Sequence, residues 1–282
     1  MAARIEVARH AGVCYGVERA LSLAQGAAGE RKADVHTLGP LIHNPIVVRE
    51  LEACGVRMAE DLDAVGSGTV VIRAHGVVPG IIREAERRGL AVLDATCPYV
   101  KKVHRAAERL VAAGYQLVVV GEAGHPEVEG IMGHADGRAR VVSGPEEAAE
   151  LVLERRVGVV VQTTQTPAAL KAVVGVLLPR VGELCVANTI CRATQERQDS
   201  AAELAGRADA MVVVGGRNSG NTRRLAQICA ERCPRTHHIE DAAEIDPAWF
   251  HGAGLVGVTA GASTPAAHIE RAVAAIRSAV EA

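Results

Sequence analysis

Three cysteines of this 282-residue chain share one local setting. Each follows a short apolar run, crosses a brief loop and opens a stretch of helical pattern: Glu6-Val7-Ala8-Arg9-His10-Ala11-Gly12-Val13-Cys14, Val92-Leu93-Asp94-Ala95-Thr96-Cys97 and Val186-Ala187-Asn188-Thr189-Ile190-Cys191. A thiolate at a helix N-terminus meets unpaired N–H groups and the positive end of the helix dipole, which lower its pKa and favour metal ligation. Three such thiolates brought to one point suit zinc or an iron–sulfur cluster. Four thiolates would close a [4Fe–4S] site, whereas three leave one iron open, as a Lewis-acid or redox catalyst requires. A single cysteine is more often a small buried hydrophobe, but the recurrence of the setting argues for ligands. Cys54, Cys185, Cys229 and Cys233 lack that setting and read as structural.

Two Gly-rich turns carry a second kind of chemistry. Val213-Val214-Gly215-Gly216-Arg217-Asn218-Ser219-Gly220-Asn221-Thr222 runs from an apolar stretch into a helix, and Gly257-Val258-Thr259-Ala260-Gly261-Ala262-Ser263-Thr264-Pro265 repeats the design. Such turns let the backbone approach a phosphate closely, and Ser219, Asn221 and Ser263 add side-chain donors. Each is also compatible with an ordinary capped turn, and neither matches the P-loop or the dinucleotide fingerprint. His43, His75 and His125 occupy comparable turns, where an imidazole can donate to phosphate oxygens. Glu127, in the Gly-flanked segment Gly124-His125-Pro126-Glu127-Val128-Glu129-Gly130, is a candidate proton donor if it is shielded from water.

The elements that position these residues read as α/β. Short β-branched runs (69–74, 90–94, 116–121, 157–162, 210–215, 255–259) alternate with Ala- and Leu-rich amphipathic stretches (14–25, 45–54, 79–88, 99–112, 167–178, 194–205, 221–230, 265–280). Strands nearly free of polar residues suit parallel sheets covered on both faces. The repeated cysteine setting divides the chain into three similar units, 14–97, 98–191 and 192–282 with 1–13, each offering one thiol toward a shared centre. Aromatic residues are only 2% of the chain, so the core must come from Val, Leu, Ile and Ala. With 31 basic and 33 acidic residues, net charge −2, nucleic acid and anionic membrane are not expected partners. No apolar run approaches the ~20 residues of a membrane span, and the opening Met-Ala-Ala-Arg-Ile-Glu-Val lacks an apolar signal region. The expected location is therefore the cytoplasm, where cysteines stay reduced.

Eight ordered motifs, running from about Val7 to the final helix, carry a family resemblance. Gly12-Val13-Cys14-Tyr15-Gly16-Val17, Gly39-Pro40-Leu41-Ile42-His43-Asn44, Ala74-His75-Gly76-Val77, Asp94-Ala95-Thr96-Cys97-Pro98, the His125–Gly130 segment, Asn188-Thr189-Ile190-Cys191, Asn218-Ser219 with Asn221, and 257–263 resemble the 4-hydroxy-3-methylbut-2-enyl diphosphate reductase (IspH/LytB) family. The resemblance implies three α/β domains in a trefoil around a [4Fe–4S] cluster. It also implies reductive removal of an allylic hydroxyl from the diphosphate, giving isopentenyl and dimethylallyl diphosphates as the last step of the methylerythritol phosphate route. Carried over, Cys14, Cys97 and Cys191 hold the cluster. His43, His75, His125, Ser219, Asn221 and Ser263 hold the diphosphate, and Glu127 supplies protons with Thr166 beside it. A ferredoxin- or flavodoxin-type protein supplies electrons.

Five positions depart from the family pattern: Val13, Tyr15, Pro167, Arg192 and Gly220. Two of them, Pro167 and Gly220, remove expected hydroxyls, while Tyr15 and Arg192 place larger groups beside ligand cysteines. They leave open a paralogue acting on a related allylic diphosphate. Rival readings from other classes are a non-catalytic iron–sulfur sensor of isoprenoid diphosphates and a zinc hydrolase built on the same thiols.

Overall fold

The computed structural model describes residues 3–30 and 34–281. Chain order begins β1 (Arg4–Val7), α1 (Tyr15–Glu30), β2 (Val35–Leu38), α2 (Pro45–Ala53), β3 (Val56–Ala59), β4 (Thr69–Ile72), α3 (Pro79–Arg87), β5 (Ala91–Asp94) and α4 (Pro98–Ala112). It continues with β6 (Gln116–Val120), α5 (Pro126–Gly133), β7 (Ala139–Val142), α6 (Pro145–Glu150), β8 (Arg156–Val161), α7 (Pro167–Leu177) and β9 (Glu183–Val186). The last elements are α8 (Arg192–Ala205), β10 (Ala210–Val214), α9 (Gly220–Ala230), β11 (Thr236–Ile239), β12 (Leu255–Ala260) and α10 (Ala266–Glu281). Six of these helices begin on proline, whose fixed φ and missing N–H suit a first turn.

Among the described residues the strands make three four-stranded sheets, ordered β3-β2-β4-β5, β7-β6-β8-β9 and β1-β12-β10-β11. Every pairing is parallel. The three orders are one topology: a first strand inside, the second on its outer side, the third on its other side, the fourth at the far edge. In the third sheet the fourth place is taken by β1, paired with β12 from Arg4 opposite Leu255 to Val7 opposite Val258. The α/β class expected from the alternating pattern is therefore what the chain adopts.

The chain divides into two compact units. One comprises the N-terminal segment through Val17, His43–Val47 and the chain from Arg192 onward, and holds the β1-β12-β10-β11 sheet. The other comprises Glu18–Ile42 and Val48–Cys191 and holds the remaining sheets. The chain crosses from one to the other within α1, on both sides of His43–Val47, and at the Cys191–Arg192 bond.

Burial explains the unbroken apolar strands. Val118 and Val120 of β6 and Val157, Val159 and Val161 of β8 pack on Leu170, Val173 and Leu177 of α7. Their neighbours Leu117, Val119 and Val160 pack on the opposite face against Val103, Ala107 and Leu110 of α4 and Ile131 of α5. Each fully buried Val or Leu contributes about 1.5–3 kcal/mol, so the second of these layers holds α5 against β8. Gly158 keeps that layer thin: a Cβ there would stand 3.1 Å from Leu110 Cδ1.

Candidate active site

In a parallel sheet, ligand-binding loops collect at the carboxyl ends of the strands where strand order reverses. Here that point lies between the first and third strand of each sheet, and nearly all the polar residues singled out from sequence sit on the loops leaving those two strands. The cysteines sit on the loop leaving the fourth. Cys97 follows β5, Cys191 follows β9 and Cys14 follows β1, each immediately ahead of a helix. All three thiols are half-buried, and among the described residues none is in a disulfide.

In the unit built on β1, β10, β11 and β12, backbone hydrogen bonds gather the loops. Gly12 N–H donates to Ala260 O at 3.4 Å and Cys14 N–H to Ala262 O at 3.2 Å, placing the thiol-bearing turn along the β12 loop. The next residue of that loop, Ser263, donates from Oγ to His43 O at 3.2 Å, and Asn44 Nδ2 donates to Ser263 O at 2.8 Å. Asn44 Oδ1 in turn accepts from the N–H groups of Ile46 and Val47, which caps α2. The backbone of Gly216 lies so close to His43 O that any Cβ would collide with it. Ser219 caps α9 by accepting from Thr222 N–H at 3.3 Å. Asn221, at the start of that helix, is 4% exposed. Among the described residues neither atom of its amide has a hydrogen-bond partner. A buried amide left unpaired costs about 1–3 kcal/mol, which marks this position for a ligand that supplies the missing bonds. Cys14, His43, Ser219, Asn221 and Ser263 therefore belong to one cluster of loops.

The other unit gathers the remaining candidates. His125 is the N-cap of α5, and its Nδ1 accepts from Glu127 N–H at 3.1 Å. That bond fixes the neutral tautomer with hydrogen on Nε2, so the ring's other nitrogen is a donor. The His75 and His125 rings meet edge to face with centroids 5.6 Å apart. The turn bearing His75 is held by Arg73, whose Nε donates to Gly76 O at 3.2 Å, and Gly76 takes φ +78°, a conformation glycine adopts without strain. Cys97 N–H reaches Ala74 O, one residue before His75, at 3.0 Å.

Glu127 is 2% exposed. Its Oε1 accepts from Thr163 N–H at 2.7 Å and its Oε2 from Thr163 Oγ–H at 2.8 Å. Both bonds favour the carboxylate, yet burial outweighs them and pushes the carboxyl up to about 7. Cys191 N–H donates to Thr163 O at 3.0 Å, so one threonine joins the carboxyl to a cysteine turn.

The threonine hydrogen-bonded to Glu127 is Thr163, while Thr166, expected near the same carboxyl, is the N-cap of α7 with its Oγ accepting from Ala169 N–H at 3.1 Å. Position 166 already belongs to the helix entry, while Thr163 is still on the loop leaving β8. Sequence reasoning missed Thr163, although a signal exists: it follows the third strand of its sheet, as His75 follows β4 and Ser263 follows β12.

Three of the five departures from the family pattern have simple local settings. Pro167 is the first residue of α7, where it suits the turn. Tyr15 is 64% exposed, and Arg192 points outward to pair with Glu196 at 2.8 Å. Of the other cysteines, Cys229 and Cys233 are buried in an apolar cluster with Leu204 and Leu225, and burial pushes the Cys229 thiol up to about 12. Cys54 is exposed just beyond α2. Among the described residues no three His, Cys, Asp or Glu side chains are grouped to hold a single metal ion. No helix among them is long and apolar enough to cross a membrane.

The fold and these loops define an α/β protein of three like sheets, with a cysteine turn after each fourth strand and polar turns bearing histidine, serine, threonine or asparagine at the points of reversal. The chain belongs to the LytB protein family, whose sequence profile matches residues 5–277. It is similar to the 4-hydroxy-3-methylbut-2-enyl diphosphate reductase of Pelobacter propionicus, 54% identical over 93% of each chain. The reductase of the same name from Geobacter sulfurreducens is 53% identical over 93% of this chain and 92% of its own. Among solved structures, an (E)-4-hydroxy-3-methyl-but-2-enyl diphosphate reductase, described as the terminal enzyme of the non-mevalonate pathway, is 45% identical. It covers 99% of this chain and 100% of its own with a TM-score of 0.73. The E-1-hydroxy-2-methyl-but-2-enyl-4-diphosphate reductase of Plasmodium falciparum is 25% identical, with a TM-score of 0.93 over 97% and 88% of the two chains.

Proposed function

We propose that this chain is an iron–sulfur oxidoreductase that removes the allylic hydroxyl of 4-hydroxy-3-methylbut-2-enyl diphosphate. Two electrons and two protons are consumed, water leaves, and isopentenyl or dimethylallyl diphosphate forms according to which end of the allylic group is protonated. The observation that carries this reading is the buried Glu127 carboxyl, clasped by Thr163, whose carbonyl receives the N–H of Cys191. A proton donor tuned to about 7 and tied to a thiol-bearing turn suits a reduction that needs protons where electrons arrive. It has no use in a sensor that only binds.

The donor set fits a [4Fe–4S] cluster held by Cys14, Cys97 and Cys191. All three thiols are half-buried, stand ahead of helix first turns and have their backbone N–H groups engaged. When bound, the cluster supplies electrons singly and one iron without a protein ligand. The chain does the rest. Asn221, Ser219, Ser263, His43, His75 and His125 bind the diphosphate, with His125 donating from Nε2. Their hold on the remote diphosphate orients the allylic carbon and limits its motion. Glu127 holds a proton at a carboxyl oxygen and delivers it, while the Thr163 hydroxyl steadies the carboxylate left behind. We assign the electron supply to a ferredoxin- or flavodoxin-type protein and the place of action to the cytoplasm.

Anaerobically purified protein, assayed with reduced methyl viologen and the allylic diphosphate, is expected to turn over and to be brown. A colourless, zinc-bearing protein, or a brown one that binds the diphosphate without product, would overturn the proposal.

A further inference from the structure

We infer that Arg197 is a positioning residue that sets the orientation of the turn presenting Cys14. The inference rests on the cluster assignment of the preceding subsection. Arg197 lies on α8 and is 4% exposed. Its Nη2 donates to Gly12 O at 2.7 Å and its Nη1 to Ala193 O at 2.9 Å. Gly12 stands two residues before Cys14, and Ala193 two residues after Cys191. One guanidinium thus ties the Gly12 carbonyl to the first turn of α8.

The Gly12 turn is gripped from both of its polar sides. Its N–H, and that of Cys14, are held by the carbonyls of Ala260 and Ala262. Its carbonyl is held by Arg197. Gly12 has φ +93°, and a Cβ there would stand 3.0 Å from Ile269 Cδ1 and 3.2 Å from Thr264 O, so the turn has little room to relax elsewhere. Swinging the Gly12–Val13 peptide would carry Cys14 with it, and the Arg197 bond opposes that swing. One turn further along α8, Ser200 Oγ accepts from His10 N–H at 3.2 Å and continues the same seam. Packing alone does not call for arginine, since methionine fills a similar volume without burying charge. Lysine keeps the charge but reaches one carbonyl where the planar fork reaches two.

The test uses the full chain as wild type, Arg197→Met and Arg197→Lys. Three quantities are read: the rate of cluster loss to a chelator, the EPR signature of the reduced cluster, and alkylation of Cys14 in the apo protein against Cys54 as internal standard. Arg197→Met is expected to lose cluster about tenfold faster, in the range for removing a group that orients a metal ligand. Its EPR signature shifts, its Cys14 alkylates several-fold faster, and Arg197→Lys falls between. Its apo melting temperature falls by only a few degrees, the cost of one lost buried hydrogen bond, so the cluster and alkylation effects are read on a folded protein. Wild-type rates and spectrum in Arg197→Met would overturn the inference. So would an Arg197→Met that unfolds, exposing Cys229 and Cys233, beside an Arg197→Lys that matches wild type. A wild type that takes up no cluster instead refutes the cluster assignment, and the Cys14 alkylation comparison still decides the role of Arg197.

Discussion

Glu127 concentrates the chemistry at the scale of single residues. Its carboxyl is pushed up to about 7 because burial costs the anion more than Thr163's two hydrogen bonds return. The protonated donor therefore dominates below that value, and kcat should fall as pH rises through it. Glu127→Gln is expected to lower kcat about 10²–10⁴-fold and abolish that limb, with KM little changed. Thr163→Val removes a bond made to the ionised form, so the limb should move up by about one pH unit. Thr166→Ala should cost about 1 kcal/mol of stability, the worth of a helix cap, and any loss of kcat beyond that reads the contribution of its hydroxyl beside the proton donor. The same carboxyl affects folding. With a folded pKa above the unfolded 4.5, the folded state holds the extra proton between the two values, so stability is full below 4.5 and declines as pH climbs through about 7. Glu127→Gln should be spared that decline, and denaturant melts of both proteins at acid and mildly alkaline pH measure the difference.

At the scale of elements, the loops are set by caps and by the carbonyls they reach. Asn44 shows how much one side chain can hold: it caps α2 with Oδ1 and ties the β12 loop with Nδ2, while 3% exposed. Asn44→Ala should cost about 2 kcal/mol, a cap plus a buried hydrogen bond, and should raise KM because His43 and Ser263 lose their common brace. Urea unfolding beside steady-state kinetics would check both. The longer elements were legible from sequence, since unbroken runs such as 116–121 and 157–162 name buried parallel strands directly. The short strands β2, β3, β7 and β11 were not: four residues interrupted by polar ones, such as Val56-Arg57-Met58-Ala59, carry too little pattern to stand apart from a loop. The short helices α5 and α6 escaped for the same reason.

At the scale of the whole molecule, the proposed cluster would bind the folded chain and not the unfolded one, so its occupancy should stabilise by mass action. Anaerobic calorimetry should give a higher melting temperature for cluster-loaded protein than for chelated protein. Cys14→Ser, Cys97→Ser and Cys191→Ser should each lose that increment along with the brown colour, and Cys54→Ser should keep both. Equal losses from all four would mean that the ligands are wrongly assigned.

The sequence by itself determined the α/β class, the three cysteine turns, the two Gly-rich turns and the histidine turns, because each is written in residues that neighbour one another along the chain. Local preferences of this kind persist for a turn or two and then fade. Which threonine faces Glu127, how Arg197 reaches Gly12, and that β1 closes a sheet begun at β10 depend on groups 36, 185 and some 250 residues apart. Those partners are chosen by how buried faces fit together, a property of the assembled layers that no short stretch of chain contains.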